Sequence, residues 1–455
     1  MKPICVVICN FNKQDYVLGA IESVQNTAGE LADIFVVDNA STDDSAALIH
    51  QHYPNIRLEV LKENIGGSGG FAHGMRQAQL IGYRYIALLD NDAVVLPNTL
   101  SGMMELLANH NDIGVVGPAV CKMDNPEVVQ EVGANVSLKD ATFSFHLNFA
   151  GESYSSIAME QVDCDYVPAC CLMTKAEIIE LVGVFDEDFF LYWDDIDWCV
   201  RVKDAGWRVV AQPRLQALHK GGSANATNTL PRYYYWRNKL RFFAKHPVRY
   251  PPHQVKHYIQ LSLARNITFL HLNAMDELLV AMQRGLQDAA IGIGGRYQGE
   301  TFPDPSNGKQ KLLQVMVPPG VYLLDMSAVT KSDMSAARKH NSLCRFIASC
   351  GQFSVESHRF VLELALYKAL SKSILDWPES VNNTVPLSES PAAVRLVVVP
   401  HLFDVTSTEV AYDEQLTDLL WNLLPQTIDG ATALQIATVL ESARQSVDAF
   451  FATEA

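Results

Sequence analysis

Apolar runs and amphipathic stretches alternate along the first hundred residues. Runs at 4–9, 34–38, 56–61 and 85–89 predict strands, and stretches at 16–26, 43–50, 70–81 and 97–109 carry the three- and four-residue spacing of helices. Such alternation predicts an α/β fold, a mainly parallel sheet with flanking helices. Ligands of these sheets gather at the carboxyl ends of the strands. Asn10, Asp38, Asn64 and Asp90 all fall there, and turn chemistry alone does not readily explain polar residues at four independent strand ends. Further on, 229–246 and 253–296 read as helices and 302–308 as a linker. Residues 310–455 form a smaller α/β or mostly helical accessory domain, with apolar runs at 312–316 and 396–399. Its last stripe, Ile436, Leu440, Ala443, Val447 and Phe450, reads as an intramolecular core face ahead of a homo-oligomer interface. The expected domains are 1–250, a helical extension 251–300, and 310–455.

Composition narrows the class. At 455 residues the chain exceeds one typical domain, and its formal net charge of -16 argues against general nucleic-acid binding. Met1-Lys-Pro-Ile enters a strand at once, which leaves no room for a signal peptide, and no apolar run reaches the roughly 18 residues of a membrane span. The nine cysteines include no Cys-x-x-Cys pair and several sit in apolar runs, so buried thiols in a reducing cytosol are expected and a structural zinc site is not.

Four segments carry chemistry. Asp90-Asn91-Asp92 places two carboxylates at a strand end, where they are held firmly enough to ligate a hard cation; beside Pro97, the same residues also suit a turn that caps the next helix. His219 precedes Gly221-Gly222 and, with Asp90 and Asp92, would complete a manganese or magnesium site, nitrogen ligation favouring manganese. Trp193-Asp194-Asp195-Ile196-Asp197-Trp198 opens a helical pattern. One of its carboxylates is accounted for as a cap, whereas crowding of three raises their pKa and suits a general base. Asn64-Ile65-Gly66-Gly67-Ser68-Gly69-Gly70-Phe71 runs into a helix and offers backbone N–H groups to phosphate; its spacing fits neither the dinucleotide fingerprint nor the phosphate loop of ATPases.

Together these segments, with residues 6–12, Val36-Val-Asp38-Asn39 and 185–195, resemble the inverting family-two glycosyltransferases of GT-A fold over residues 4–246. Within that family the glycine loop and Trp-Asp-Asp look most like bacterial galactofuranosyl- and rhamnosyltransferases, although Asn91 stands where the galactofuranosyl relatives often carry a third aspartate. The resemblance implies a nucleotide-sugar donor, UDP-galactofuranose or dTDP-rhamnose, and a glycan or lipid-linked acceptor in surface-polysaccharide synthesis. It assigns Asn10, Phe11, Asn12 and Asp38 to the base and ribose, and Gly66, Gly67, Gly69 and Gly70 to the diphosphate or sugar. Asn39, Asn64, Arg76, Asn91 and Trp193 join the donor-binding set. Asp90, Asp92 and His219 would hold the metal and Asp195 would be the base, with Asp194 and Asp197 orienting the acceptor or supporting Asp195. A nucleotidyltransferase of the same fold and a non-catalytic nucleotide-sugar-binding scaffold are the alternatives.

One charge asymmetry remains. Residues 205–275 contain no Asp or Glu yet carry eleven Lys and Arg, with aromatics interleaved from Arg232 to His246. Either 232–249 contacts an anionic membrane peripherally at the inner face of the plasma membrane, or the stretch is a basic solvated face or pairs with the acidic catalytic domain.

Overall fold

The computed structural model describes residues 1–139, 142–221, 229–272, 276–299 and 302, four strands between 320 and 397, and helical residues at 439 and 442–451. The expected linker at 303–308 and the apolar run at 312–316 lie outside the described residues. Two compact units emerge, one of residues 1–137, 145–249 and 284–302, the other of 138–144, 250–283 and 303–455.

In the first unit the predicted alternation is present. Strands β1 (Ile4–Asn10), β2 (Ala32–Asp38), β3 (Arg57–Val60) and β4 (Tyr85–Asp90) are separated by helices α1 (Gln14–Ala28), α2 (Ser45–His52) and α3 (Gly66–Ile81). Then follow β5 (Ala93–Val95), α4 (Thr99–Asn109), β6 (Ile113–Lys122), β7 (Asn125–Glu131), β8 (Ala134–Lys139), β9 (Thr142–Leu147), β10 (Val162–Cys164) and β11 (Cys171–Lys175). The unit continues through α5 (Ala176–Val182), α6 (Asp194–Asp204), β12 (Arg208–His219) and α7 (Thr229–Lys245).

The sheet runs β10-β12-β6-β11-β4-β1-β2-β3. Its β4-β1-β2-β3 half is parallel, and β11 enters antiparallel between β4 and β6. Every residue of β1 is buried, as a continuous apolar run covered on both faces requires. Helix α1 covers one face with Val17, Ala20, Ile21, Val24 and Ala28, a one-sided stripe in which each buried Val or Ile contributes about 1.5–3 kcal/mol. Register then fixes the site edge: Asn10 pairs with Asp38, and Cys9 with Asp90, so three strand ends finish level.

Two expectations change. Helix α3 begins at Gly66, four residues before the predicted start, so the glycines are its first turn rather than a preceding loop. The stretch expected to be helical to 296 ends at Ala290, as the helices α8 (Pro252–Leu272) and α9 (Asp276–Ala290). All seven described cysteines are buried and free, and burial pushes Cys5 and Cys171 up to about 12, which keeps them as inert thiols.

The second unit contains a four-stranded sheet of β13 (Gly320–Asp325), β14 (Phe353–Glu356), β15 (Arg359–Leu364) and β16 (Val394–Val397), in the order β14-β15-β13-β16. Of the final stripe, Ala443, Val447 and Phe450 are buried on helical residues 442–451, and Lys256 of α8 pairs with Asp448 at 2.9 Å. Among the described residues no helix is long and apolar enough to cross a membrane.

Candidate active site

The two carboxylates of the strand-end motif meet His219 through a small antiparallel pairing. β5 lies against the end of β12 so that Ala93 faces His219, and the Lys220 N–H donates to the Asp92 carbonyl at 2.9 Å. His219 Nε2 is then 3.2 Å from Asp92 Oδ1 and 3.6 Å from Asp90 Oδ2, and the three ligand atoms all lie within 4.8 Å of one another. His219 Nδ1 stands 3.2 Å from Gln130 Oε1, an atom that only accepts. The ring proton therefore belongs on Nδ1, which leaves Nε2 turned to the carboxylates. Lys13 Nζ also contacts Asp92, at 2.9 Å.

Burial pushes Asp90 up to about 6, whereas for Asp92 the hydrogen bonds from His219 and Lys13 outweigh burial and hold it at about 2. Burial disfavours a charged His219, but Asp92 and Asp90 raise its pKa. Two carboxylates and one imidazole, already drawing in the cationic side chain of Lys13, fit a divalent cation that accepts oxygen and nitrogen ligands. Sequence reasoning missed Lys13 and Gln130. No spacing signal marks either, because each reaches the cluster only through sheet pairing.

The residues that the resemblance assigns to the nucleotide form a network across β1 and β2. Asn10 Nδ2 donates to Asp38 Oδ2 at 2.8 Å, and Ser41 donates to both Asp38 oxygens. Asn91 Nδ2 donates to Asn10 Oδ1 at 2.9 Å, and Asn12 Oδ1 accepts from the Thr42 N–H at 2.7 Å. Asn10 and Asp38 are fully buried, so they brace the strand ends, and Phe11, 40% exposed, is the group that presents a face outward. Asn39 joins β2 to the glycine segment, donating to the Gly66 carbonyl at 2.8 Å and accepting from the Ile65 N–H. Asn64 Oδ1 accepts from the Gly66 N–H.

The glycines divide by role. A Cβ on Gly70 would stand 2.3 Å from Cys9 Sγ, and one on Gly66, whose φ is +81°, would stand 2.1 Å from the Phe190 carbonyl. A Cβ on Gly69 would press on Ile65. These glycines let α3 pack tightly, while a Cβ on Gly67 would meet nothing within 4 Å. Arg76 pairs with Glu187 in the segment before Trp-Asp-Asp.

Helix α6 carries the remaining carboxylates in its first turn. Asp195 accepts from the Ala169 N–H at 3.2 Å and the Ile196 N–H at 2.8 Å. Burial and the Asp194 charge push Asp195 well above the carboxylate range, and burial raises Asp194 although the Ser68 hydroxyl opposes it. Asp197 departs from the expected trio. For this buried carboxylate, the hydrogen bond from His246 and the charges of Arg201 and Lys245 overcome burial and hold its pKa at about 2. It is an internal ion-pair centre joining α6 to α7. Trp193 is also buried, its ring packed against Tyr235, Phe242 and Phe243 of α7.

The backbone leading to α6 is strained. Phe190, Tyr192 and Trp193 have φ of 62°, 66° and 71°, conformations costing about 1–3 kcal/mol each for side-chain-bearing residues. The basic helix α7 packs against them. Arg237 and Lys239 are buried, Arg241 bonds Asp188 and Asp186, and Lys245 bonds Asp186 and Asp197. Burial takes Lys239 down to about 7. Arg241 and Lys245 therefore pair with carboxylates of the same unit, Arg237 is taken up by backbone carbonyls and Lys239 lies over the Tyr235 and Trp236 rings, so a membrane face through 232–249 loses these four cations.

Residues 5–161, about a third of the chain, match the family model described as Glycosyl transferase family 2, and the largely parallel sheet with flanking helices is the arrangement expected of the GT-A fold. The match takes in β1 to β4 with Asp90 and Asp92, and stops before Asp195 and His219. The galactofuranosyltransferase GlfT1 of Mycolicibacterium smegmatis is 27% identical over 125 residues, 27% of this chain and 41% of that protein. The N-acetylglucosaminyl-diphospho-decaprenol L-rhamnosyltransferase of Mycobacterium tuberculosis is 22% identical over 201 residues, 41% and 66% respectively. The chain thus spans less than two-thirds of the length of either relative. The crystal structure of S. aureus TarS 1-349 in complex with UDP-GlcNAc overlaps 64% of this chain and 82% of that one at 15% identity, with a TM-score of 0.43.

Proposed function

We propose that the protein is a metal-dependent inverting glycosyltransferase that moves a sugar, galactofuranose or rhamnose, from a nucleotide-sugar donor to a glycan or lipid-linked glycan acceptor in bacterial surface-polysaccharide synthesis. The observation that carries the reading is the convergence of Asp90, Asp92 and His219 in one cluster, with the carboxylate of Asp194 close enough to raise Asp90 electrostatically and Asp195 beside Asp194. A divalent cation held by Asp90, Asp92 and His219 supplies Lewis-acid neutralisation of the diphosphate.

The chain's own residues do the rest. Phe11 offers a face for the nucleobase, and Lys13 reaches the diphosphate end from Asp92. Asp195 takes the proton of the acceptor hydroxyl as its oxygen bonds to the anomeric carbon. The bond from that carbon to the diphosphate oxygen breaks, and the nucleoside diphosphate leaves with the electron pair. One displacement from the opposite face inverts the anomeric centre. A pKa raised above the ordinary carboxylate range makes Asp195 a stronger base than a free carboxylate, which suits it to take the acceptor's proton. The relatives acting on galactofuranose and rhamnose support the two candidate sugars; another nucleotide-sugar hexosyltransferase of the same fold is the alternative.

The test is calorimetric titration with UDP, dTDP, GDP and ADP, with and without manganese. Manganese-dependent binding of UDP or dTDP is expected. Equal, metal-independent binding of all four, or of none, would refute the proposal.

A further inference from the structure

After a single 3-10 turn at Glu187–Phe189, the backbone up to Asp194 follows no regular secondary structure, and side chains contribute much of what holds it. Phe190, Tyr192 and Trp193 are bulky residues at positive φ, a region in which such side chains crowd their own backbone. Their segment turns its carbonyls toward α7, where two neighbouring side chains receive them. Arg237 Nη2 donates to the carbonyls of Asp188 and Phe189, both at 2.9 Å. Asn238 Nδ2 donates to those of Phe189 at 2.7 Å, Leu191 at 2.6 Å and Tyr192 at 3.1 Å. Arg237 Nε bonds Asn238 Oδ1 at 2.9 Å and its Nη1 donates to the Gly295 carbonyl at 2.6 Å, so each member orients the other. Both side chains are buried, Arg237 being 1% exposed and Asn238 0%.

The clamped segment touches both halves of the candidate site. Its Phe190 carbonyl accepts from the Ser68 N–H at 3.3 Å in the first turn of α3 and leaves no room for a Cβ on Gly66. At its other end Trp193 is the N-cap of α6, so its φ sets the direction in which Asp194 and Asp195 leave. Stacking of Phe190 on Tyr234, with centroids 4.9 Å apart, adds a second attachment to α7. Relaxing any of the three positive φ angles would move the start of α6 relative to α3.

We propose that Arg237 and Asn238 are positioning residues that hold residues 188–193 in this strained conformation and so set Asp195 against the donor-side helix. The inference rests on Asp195 being the base. It predicts a particular kinetic signature: loss of the clamp lowers kcat and leaves nucleotide affinity unchanged, because a misplacement of about 1 Å at the reacting centre costs about 10²-fold in rate.

Asn238→Asp is the sharpest variant, since it keeps the shape but turns a donor amide into an acceptor facing three carbonyls. Full-length protein with manganese would be assayed for UDP and dTDP affinity, for nucleoside diphosphate release from UDP-galactofuranose and dTDP-rhamnose, and for hydrogen–deuterium exchange across 188–196. Asn238→Asp and Arg237→Lys are each expected to lower kcat by about 10²-fold, with nucleotide Kd within twofold and faster exchange confined to that segment. A folded Asn238→Asp protein with wild-type kcat, or a loss of kcat without faster exchange, would overturn the proposal. Should Asn238→Asp fail to fold, Arg237→Lys and Asn238→Ala decide between the same two outcomes on the same readouts. Asp195→Asn separates the two ideas. If it retains turnover, the base assignment falls; if it is inactive while the clamp variants are active, the clamp alone falls.

Discussion

The strand-end edge carrying Asn10, Asp38 and Asp90 and the helix start carrying Asp194 and Asp195 are built by different means. At the strand ends, parallel pairing brings Asn10, Asp38 and Asp90 together, and the side chains there need only bond their neighbours. At the start of α6, Asp194 and Asp195 are delivered by three residues at positive φ, held by donors from α7. Regular sheet register tolerates local change because many ladder bonds share the load. A strained turn depends on a few contacts, so it is the part of the molecule most easily disabled and most easily tuned.

The largest effect that would sharpen this contrast is at Asp195. Asp195→Asn should lower turnover by about two to four orders of magnitude while UDP or dTDP affinity is retained, measured by steady-state kinetics beside calorimetry. Near-normal turnover would transfer the base role to Asp194. Next is the cluster of Asp90, Asp92 and His219. Gln130→Leu removes the acceptor for His219 Nδ1 and should weaken manganese binding by about 10- to 100-fold, read by titration of manganese followed by electron paramagnetic resonance; unchanged affinity would remove Gln130 from the cluster's support.

A smaller effect separates the glycines at the start of α3. Gly70→Ala forces a Cβ onto Cys9 and Asn39 and should cost about 1–3 kcal/mol of stability by overpacking, seen in denaturant melts. Gly67→Ala meets open space, and any loss there should appear in nucleotide affinity instead. Equal destabilisation by both would contradict the division of roles.

The smallest effects concern pH. Asp195 has a raised pKa in the fold, so its ionised form opposes folding. That penalty is absent below the ordinary carboxylate value of about 4 and grows as pH rises through the folded pKa. Asp195→Asn should therefore raise Tm near neutrality, the gain vanishing in acid. Turnover of the unsubstituted protein should fall on the acid side at a pH above the usual carboxylate range. Asp197, held at about 2, works the other way: its ion pairs stabilise the fold above about pH 4, and this contribution fades as pH falls toward 2. His246→Ala should flatten that acid limb of the melting curve.

The first four strands, the first four helices and the strand-end positions of Asn10, Asp38 and Asp90 were legible in the sequence, because apolar runs and helical spacing are local signals and strand ends follow from them. The likeness of separate motifs to one family also pointed to Asp90, Asp92, His219 and Asp195 together. Partners were not legible. Whether Asp194, Asp195 and Asp197 share one fate depends on what lies across from each: Asp197 faces Arg201, Lys245 and His246, whereas Asp195 faces backbone N–H groups and another carboxylate. The same holds for α7, whose sequence suggested a basic surface until its cations were found bonded to the loop before α6. Sequence determined which segments become strands and helices, since that depends on each residue's near neighbours. Only the tertiary structure decided which charges are paired and which carboxylate has its pKa raised rather than lowered, because electrostatic energy depends on distances between residues far apart in the chain.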